Sequence, residues 1–168
     1  MQTIELKMHP AVVKWIDATF PKVDNAYDLR KDALYILFYS SLMQKKIKPP
    51  LKPLKKIEKH IPIRIHINEW EFYRYGWDIP NHIQAMISNF LFSMMMNKIC
   101  EHIAYAFAYG KISRDITIRR IMIEYLFDDE EINYYYIRKW YQRKYQDTNK
   151  ENEIIDFVKN TLIYSTQN

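Results

Sequence analysis

Glycine is almost missing from this chain of 168 residues, which contains only Gly76 and Gly110. Loops that cradle phosphates, or bring backbone close to a substrate, usually need glycine because a Cβ blocks the approach. No P-loop, dinucleotide fingerprint or G-x-S-x-G elbow is present. Cysteine is scarcer still. Cys100 alone excludes an internal disulfide and a multi-cysteine zinc site, and within its apolar stretch it reads as a small buried hydrophobe. The five histidines (His9, His60, His66, His82 and His102) are never three or four residues from one another or from Cys100. No helical metal pair therefore exists. Glu101 and His102 are adjacent, so on a helix they point in different directions. The expectation is a protein without cofactor or metal, and not an enzyme.

Long uncharged apolar runs are also lacking. Asn89, Asn97 and Lys98 interrupt the best candidate before it reaches about 18 residues, so no membrane contact is expected. The opening MQTIELKM has no basic-then-apolar signal pattern, so secretion by a signal peptide is not expected. Hydrophobic residues at 48% and charged residues at 27% exclude a disordered chain. The length suits one helical domain over 1–168 with a core of its own. Ile, Lys, Asn and Tyr are used heavily and Val, Ala and Gly sparingly, a bias that points to an AT-rich genome such as a phage.

What dominates the sequence is the stretch 78–110, which reads as one helix over 79–109. Asp78 offers an N-cap, Pro80 sits in the first turn, and Gly110 offers a left-handed C-cap. At about 1.5 Å per residue it spans about 45 Å. Asn89, Ser93, Asn97 and Glu101 form a thin polar stripe, and nearly all other positions are apolar, so the helix should be buried on most sides. The Met94-Met95-Met96 run is covered either by this chain or by a neighbour.

Around it the expected fold is mainly α, with about six helices packed on the long one. Alternation in 3–8 and 61–67 marks two strands that pair with each other, within the chain or between subunits. Pro62 suggests an edge for the second of them. A helix follows His9-Pro10 and stops at Pro21. Asp24 or Asn25 is read as the cap of another, running to about residue 46. Asn68 and Glu71 have capping-box spacing for a short helix. Ser113 or Asp115 opens the first helix of a hairpin over 113–145, 146–152 reads as a polar linker, and 153–164 as a C-terminal helix.

Three features carry functional expectations. The first is the basic, proline-rich stretch 45–60, expected to run as an extended arm. Its seven lysines (Lys45, Lys46, Lys48, Lys52, Lys55, Lys56 and Lys59) face one acid, for a net charge of +6 against +5 for the whole chain. Lysines without interleaved aromatics suit sequence-independent contact with phosphates or an acidic partner. The second is the 113–145 unit, which resembles a helix-turn-helix in outline and offers Arg119, Arg120, Arg138, Lys139, Arg143 and Lys144 as candidate DNA contacts. Its turn lacks glycine, and the acids Asp128, Asp129, Glu130 and Glu131 open its second helix, where a duplex would be repelled. The third is an excess of aromatics: Trp70, Phe72, Tyr73, Tyr75 and Trp77 in one cluster, and Tyr134, Tyr135 and Trp140 in another. Such side chains are enriched at protein interfaces and make a candidate oligomer interface.

Together these favour a non-enzymatic structural protein that assembles with itself and with other assembly proteins. Size, helical character and codon bias fit a phage virion component of the portal, neck or connector-ring type, located in the virion or in the cytoplasm of a bacterial host. The alternative is a nucleic-acid-binding regulator, or a packaging or replication accessory factor, that uses 113–145 and the lysine arm.

Overall fold

The computed structural model describes residues 2–30, 60–75 and 79–165. The fold is mainly α, with six α-helices and a four-stranded sheet among the described residues. The chain divides into two units, 1–93 and 94–168, and the long helix supplies residues to both.

The first unit is built on the sheet. Strand β1 (Gln2–Met8) pairs antiparallel with β4 (Ile61–Ile67), from Gln2 opposite Ile67 to Met8 opposite Ile61. The pairing lies within one chain, so the sheet needs no strand from a second subunit. Alternation turns Ile4, Leu6 and Met8 inward on β1, and Ile63, Ile65 and Ile67 on β4. Between them in sequence lie β2 (Lys22–Val23) and β3 (Ala26–Tyr27), a small hairpin absent from the expected two-stranded element. Asp24 (φ 49°) and Asn25 (φ 60°) occupy the two left-handed positions of its two-residue turn. These are the residues expected to cap a helix. Asp and Asn tolerate left-handed backbone as readily as they cap, and here the turn prevails. The rest of that expected helix, and the arm through residue 59, lie outside the described residues.

Strand β4 is not an edge, because β3 joins its other side in parallel at Tyr27 opposite Ile65. Pro62 is tolerated for a local reason. The Lys7 N–H, opposite it, turns away from β4 and donates to Gln84 Oε1 at 2.9 Å. Lys7 and Pro62 are thus a non-hydrogen-bonded pair, and the proline nitrogen faces the far side, at a level β3 does not reach. His66 is buried on the face opposite the isoleucines, with its Nε2–H donating to the Val23 carbonyl at 2.8 Å.

Helix α1 (Pro10–Thr19) begins as expected at His9, whose Nδ1 accepts from the Ala11 N–H, and it buries Val12, Trp15 and Ile16. Helix α2 (Glu69–Tyr75) shows one arm of the expected capping box, the Asn68 N–H donating to Glu71 Oε2 at 3.2 Å. Helix α3 (Asn81–Gly110) follows Pro80, and Ser88, near its start, takes the His9 N–H at 3.0 Å beside the open edge of β1. Met95 and Met96 on α3 are fully buried, while the expected stripe is exposed at Asn89 and Asn97 and half-buried at Ser93 and Glu101.

The helix ends differently from the expected glycine cap. Lys111, not Gly110, takes the left-handed conformation (φ 50°), and the Ile112 N–H closes back on the Ala106 carbonyl at 3.2 Å. A Cβ on Gly110 would sit 3.2 Å from Ile112 Cγ1, so glycine serves there for close approach.

In the second unit α4 (Arg114–Glu124) starts at the expected cap, Ser113, and ends in left-handed Leu126 (φ 53°). The four acids expected to open the next helix form the turn before it. The Asp128 N–H donates to Glu131 Oε2, the Glu130 N–H donates to Asp128 Oδ1, and α5 (Tyr134–Tyr141) is capped by Asn133. Helix α5 widens into a π-helical segment, Gln142–Gln146. Helix α6 (Lys150–Ser165) begins inside the expected linker 146–152. Among the described residues no helix is long and apolar enough to cross a membrane.

Candidate interaction surfaces

At the centre of the second unit is a buried carboxylate. Glu151, in the first turn of α6, accepts from Arg114 Nε at 2.5 Å and from the Tyr141 hydroxyl at 2.6 Å on Oε1. Gln146 Nε2 reaches Oε2 at 3.4 Å. The Arg114 guanidinium lies 3.6 Å over the Phe107 ring. Burial alone would raise the Glu151 pKa, but the hydrogen bonds from Arg114 and Tyr141 outweigh it and hold the carboxyl below its ordinary value. Burial, then the bond to Glu151, drives the Tyr141 hydroxyl well above its usual value. The π segment places Gln146 at this carboxylate, and its wider turn lays the Tyr145 ring parallel to Tyr141, 5.4 Å between centroids. Beside the cluster is a cleft of about 410 Å³ with Arg138, Asp115 and Gln142 on its walls. Glu151 already meets the charge of Arg114, and Asp115 and Arg138 bring opposite charges to the walls, so the cleft has little net charge to offer an ion.

A second groove runs along the outer face of α5 and the π segment. Tyr136, Lys139, Trp140, Arg143 and Lys144 fall at i, i+3, i+4, i+7 and i+8, the spacing of one helix face, and line about 200 Å³ of space. The Tyr136 and Trp140 rings meet at 38°, 6.0 Å between centroids. Three of the six candidate DNA contacts, Lys139, Arg143 and Lys144, come together here. The other three do not join them. Arg138 turns to the cleft. Arg119 lies 5.0 Å over the Tyr134 ring, whose hydroxyl donates to Asp115 at 2.6 Å. Arg120 is exposed on α4. The lysine arm, Lys45 to Lys59, lies outside the described residues.

The aromatic candidates also divide. Trp70 (58% exposed) and Tyr73 (71%) are on the surface of α2, with Arg74 stacked 4.7 Å over the Trp70 ring, while Phe72 is half-buried. The Tyr75 side chain and Trp77 lie outside the described residues. Tyr135 is 74% exposed, and Tyr134 and Trp140 are half-buried. Aliphatic side chains that composition did not single out join them: Ile123 (73%) and Leu126 (74%) at the end of α4, and Ile116 one heptad before Ile123.

Cys100 is buried, and burial, reinforced by Glu101, pushes its thiol up to about 12, so it is inert. Among the described residues no three His, Cys, Asp or Glu side chains are grouped to hold a metal. Comparison with protein-family models, with curated proteins and with solved structures finds no match.

Sequence reasoning missed the Glu151 cluster because its members come from positions 114, 141, 146 and 151: the first two read locally as ordinary helix residues, and Gln146 and Glu151 fall in the expected polar linker. It also passed over the exposed aliphatics Ile116, Ile123 and Leu126, since only the residues expected to face the core, Ile118, Ile121, Met122 and Tyr125, were singled out.

Proposed function

We propose that the protein is a non-catalytic assembly component that binds copies of itself and other assembly proteins through exposed apolar side chains of its helices. The observation that carries this reading is the end of α4. Ile123 and Leu126 are each about three-quarters exposed, and Ile116 shares the face of Ile123, with Arg119 and Arg120 between. Large apolar groups left in water, rimmed by charge, are the usual mark of a surface awaiting a partner. Tyr135 on α5 and Trp70 and Tyr73 on α2 add the broad, semi-polar contact area that interfaces favour. A ring component of a phage particle, of the portal, neck or connector kind, is the setting that the size and the codon bias support.

The test is native mass spectrometry of the purified chain, alone and with the products of neighbouring genes. The expected species are multiples of the 20.6 kDa protomer. A monomer under every condition overturns the reading.

A second reading, nucleic-acid binding, is favoured by one observation: the three cations that α5 and the π segment align beside Tyr136 and Trp140. Lysine and arginine so placed suit phosphate contact.

A further inference from the structure

We propose that the groove along α5 and the π segment binds single-stranded nucleic acid. An unpaired base stacks on Tyr136 and Trp140 while Lys139, Arg143 and Lys144 hold the flanking phosphates. This rests on the second reading and narrows it from nucleic acid in general to an unpaired strand.

Several observations converge on that occupant. The floor is aromatic: the Tyr136 ring is 44% exposed and the half-buried Trp140 ring meets it at 38°, so the surface part of the Tyr136 ring offers a flat ring system a place to lie. At about 200 Å³ the groove is smaller than an ordinary ligand pocket of about 300–1,000 Å³, which suits one base better than a whole cofactor. The cations lie one turn (Lys139) and two turns (Arg143 and Lys144) beyond Tyr136, with Trp140 between them, as a strand passing over the helix needs. No carboxylate lines the groove.

A duplex fits less well. Its base faces are already stacked on one another. The end of α5 that a duplex reader inserts follows Asp128, Asp129, Glu130 and Glu131, whose charge repels phosphate. An acidic peptide could neutralise the cations, but it has no use for the aromatic floor.

Fluorescence anisotropy with a labelled oligothymidine, and with a duplex of equal length, tests the proposal on the full chain from about 50 to 200 mM salt. The expected result is tighter binding of the single strand. Tyr136→Ala should weaken it by about tenfold, one stacked base being worth about 1–3 kcal/mol. Tyr136→Trp should retain it, and Lys139→Glu with Arg143→Glu should remove most of its salt dependence. Circular dichroism confirms that each variant keeps its helix content. Equal affinity for duplex, or no effect of Tyr136→Ala, overturns the proposal and leaves general nucleic-acid binding standing. No binding of either oligonucleotide at the lowest salt overturns both.

Discussion

Glu151 is the residue on which the second unit most depends for its polar order. A carboxylate buried to this degree is costly unless its oxygens are hydrogen-bonded, and Arg114 and Tyr141 serve Oε1 while Gln146 serves Oε2. Its folded pKa is depressed, so the stability it contributes is fully present above the ordinary glutamate value near 4.3 and is lost as pH falls through that range and below. Urea unfolding from neutral to acid pH should show wild type losing stability over this window, with Glu151→Gln showing a flatter profile. At neutral pH Glu151→Gln should cost about 2 kcal/mol, less than the 3–5 of a fully enclosed pair because the Arg114 side chain is about a third exposed. Parallel pH profiles for the two proteins would show that the cluster contributes nothing through charge. None of this was legible in the sequence. Glu151 looked like one more charge in a polar linker, and its partners lie up to 37 positions away.

At the scale of elements, the parts that local chemistry decides were readable and the parts that several chemistries share were not. Alternation in 3–8 and 61–67 identified both long strands, because a period of two with one buried face suits few other local structures. Ser113 and the Asn68–Glu71 box identified two helix starts, because few other local structures use that spacing. Asp24-Asn25 was misread because the same two residues can cap a helix or fill a left-handed turn. Pro62 suggested an edge because a sequence does not show how short β3 is.

The turn after α4 holds the clearest strain. Leu126 sits at φ 53° with no glycine to relieve it, a conformation that costs about 1–2 kcal/mol for a residue with a Cβ. Leu126→Gly should therefore raise the stability of the isolated protomer by about 1 kcal/mol in chemical denaturation. A drop in stability would mean that the leucine side chain supports the fold and is not held for a partner.

For the whole molecule, the long helix supplies residues to both units. Its Met95 and Met96 are covered by this chain, so they provide no surface for a neighbour. Apolar surface remains on this helix at Met86, Phe90, Tyr105 and Tyr109, and it is greatest on shorter elements: Trp70 and Tyr73 on α2, Ile123 on α4, Leu126 just beyond it, Tyr135 on α5 and Phe157 on α6. The surface available to the proposed self-association thus includes aliphatic side chains that composition did not reveal. Strand exchange is not needed, since β1 and β4 pair within the chain. The most direct test of assembly through the end of α4 is sedimentation velocity of wild type beside an Ile123→Glu, Leu126→Glu double variant, at matched concentration and unchanged helix content. The expected result is an oligomer for wild type and a shift to smaller species for the variant. Identical sedimentation of the two proteins would contradict the assembly role of that surface.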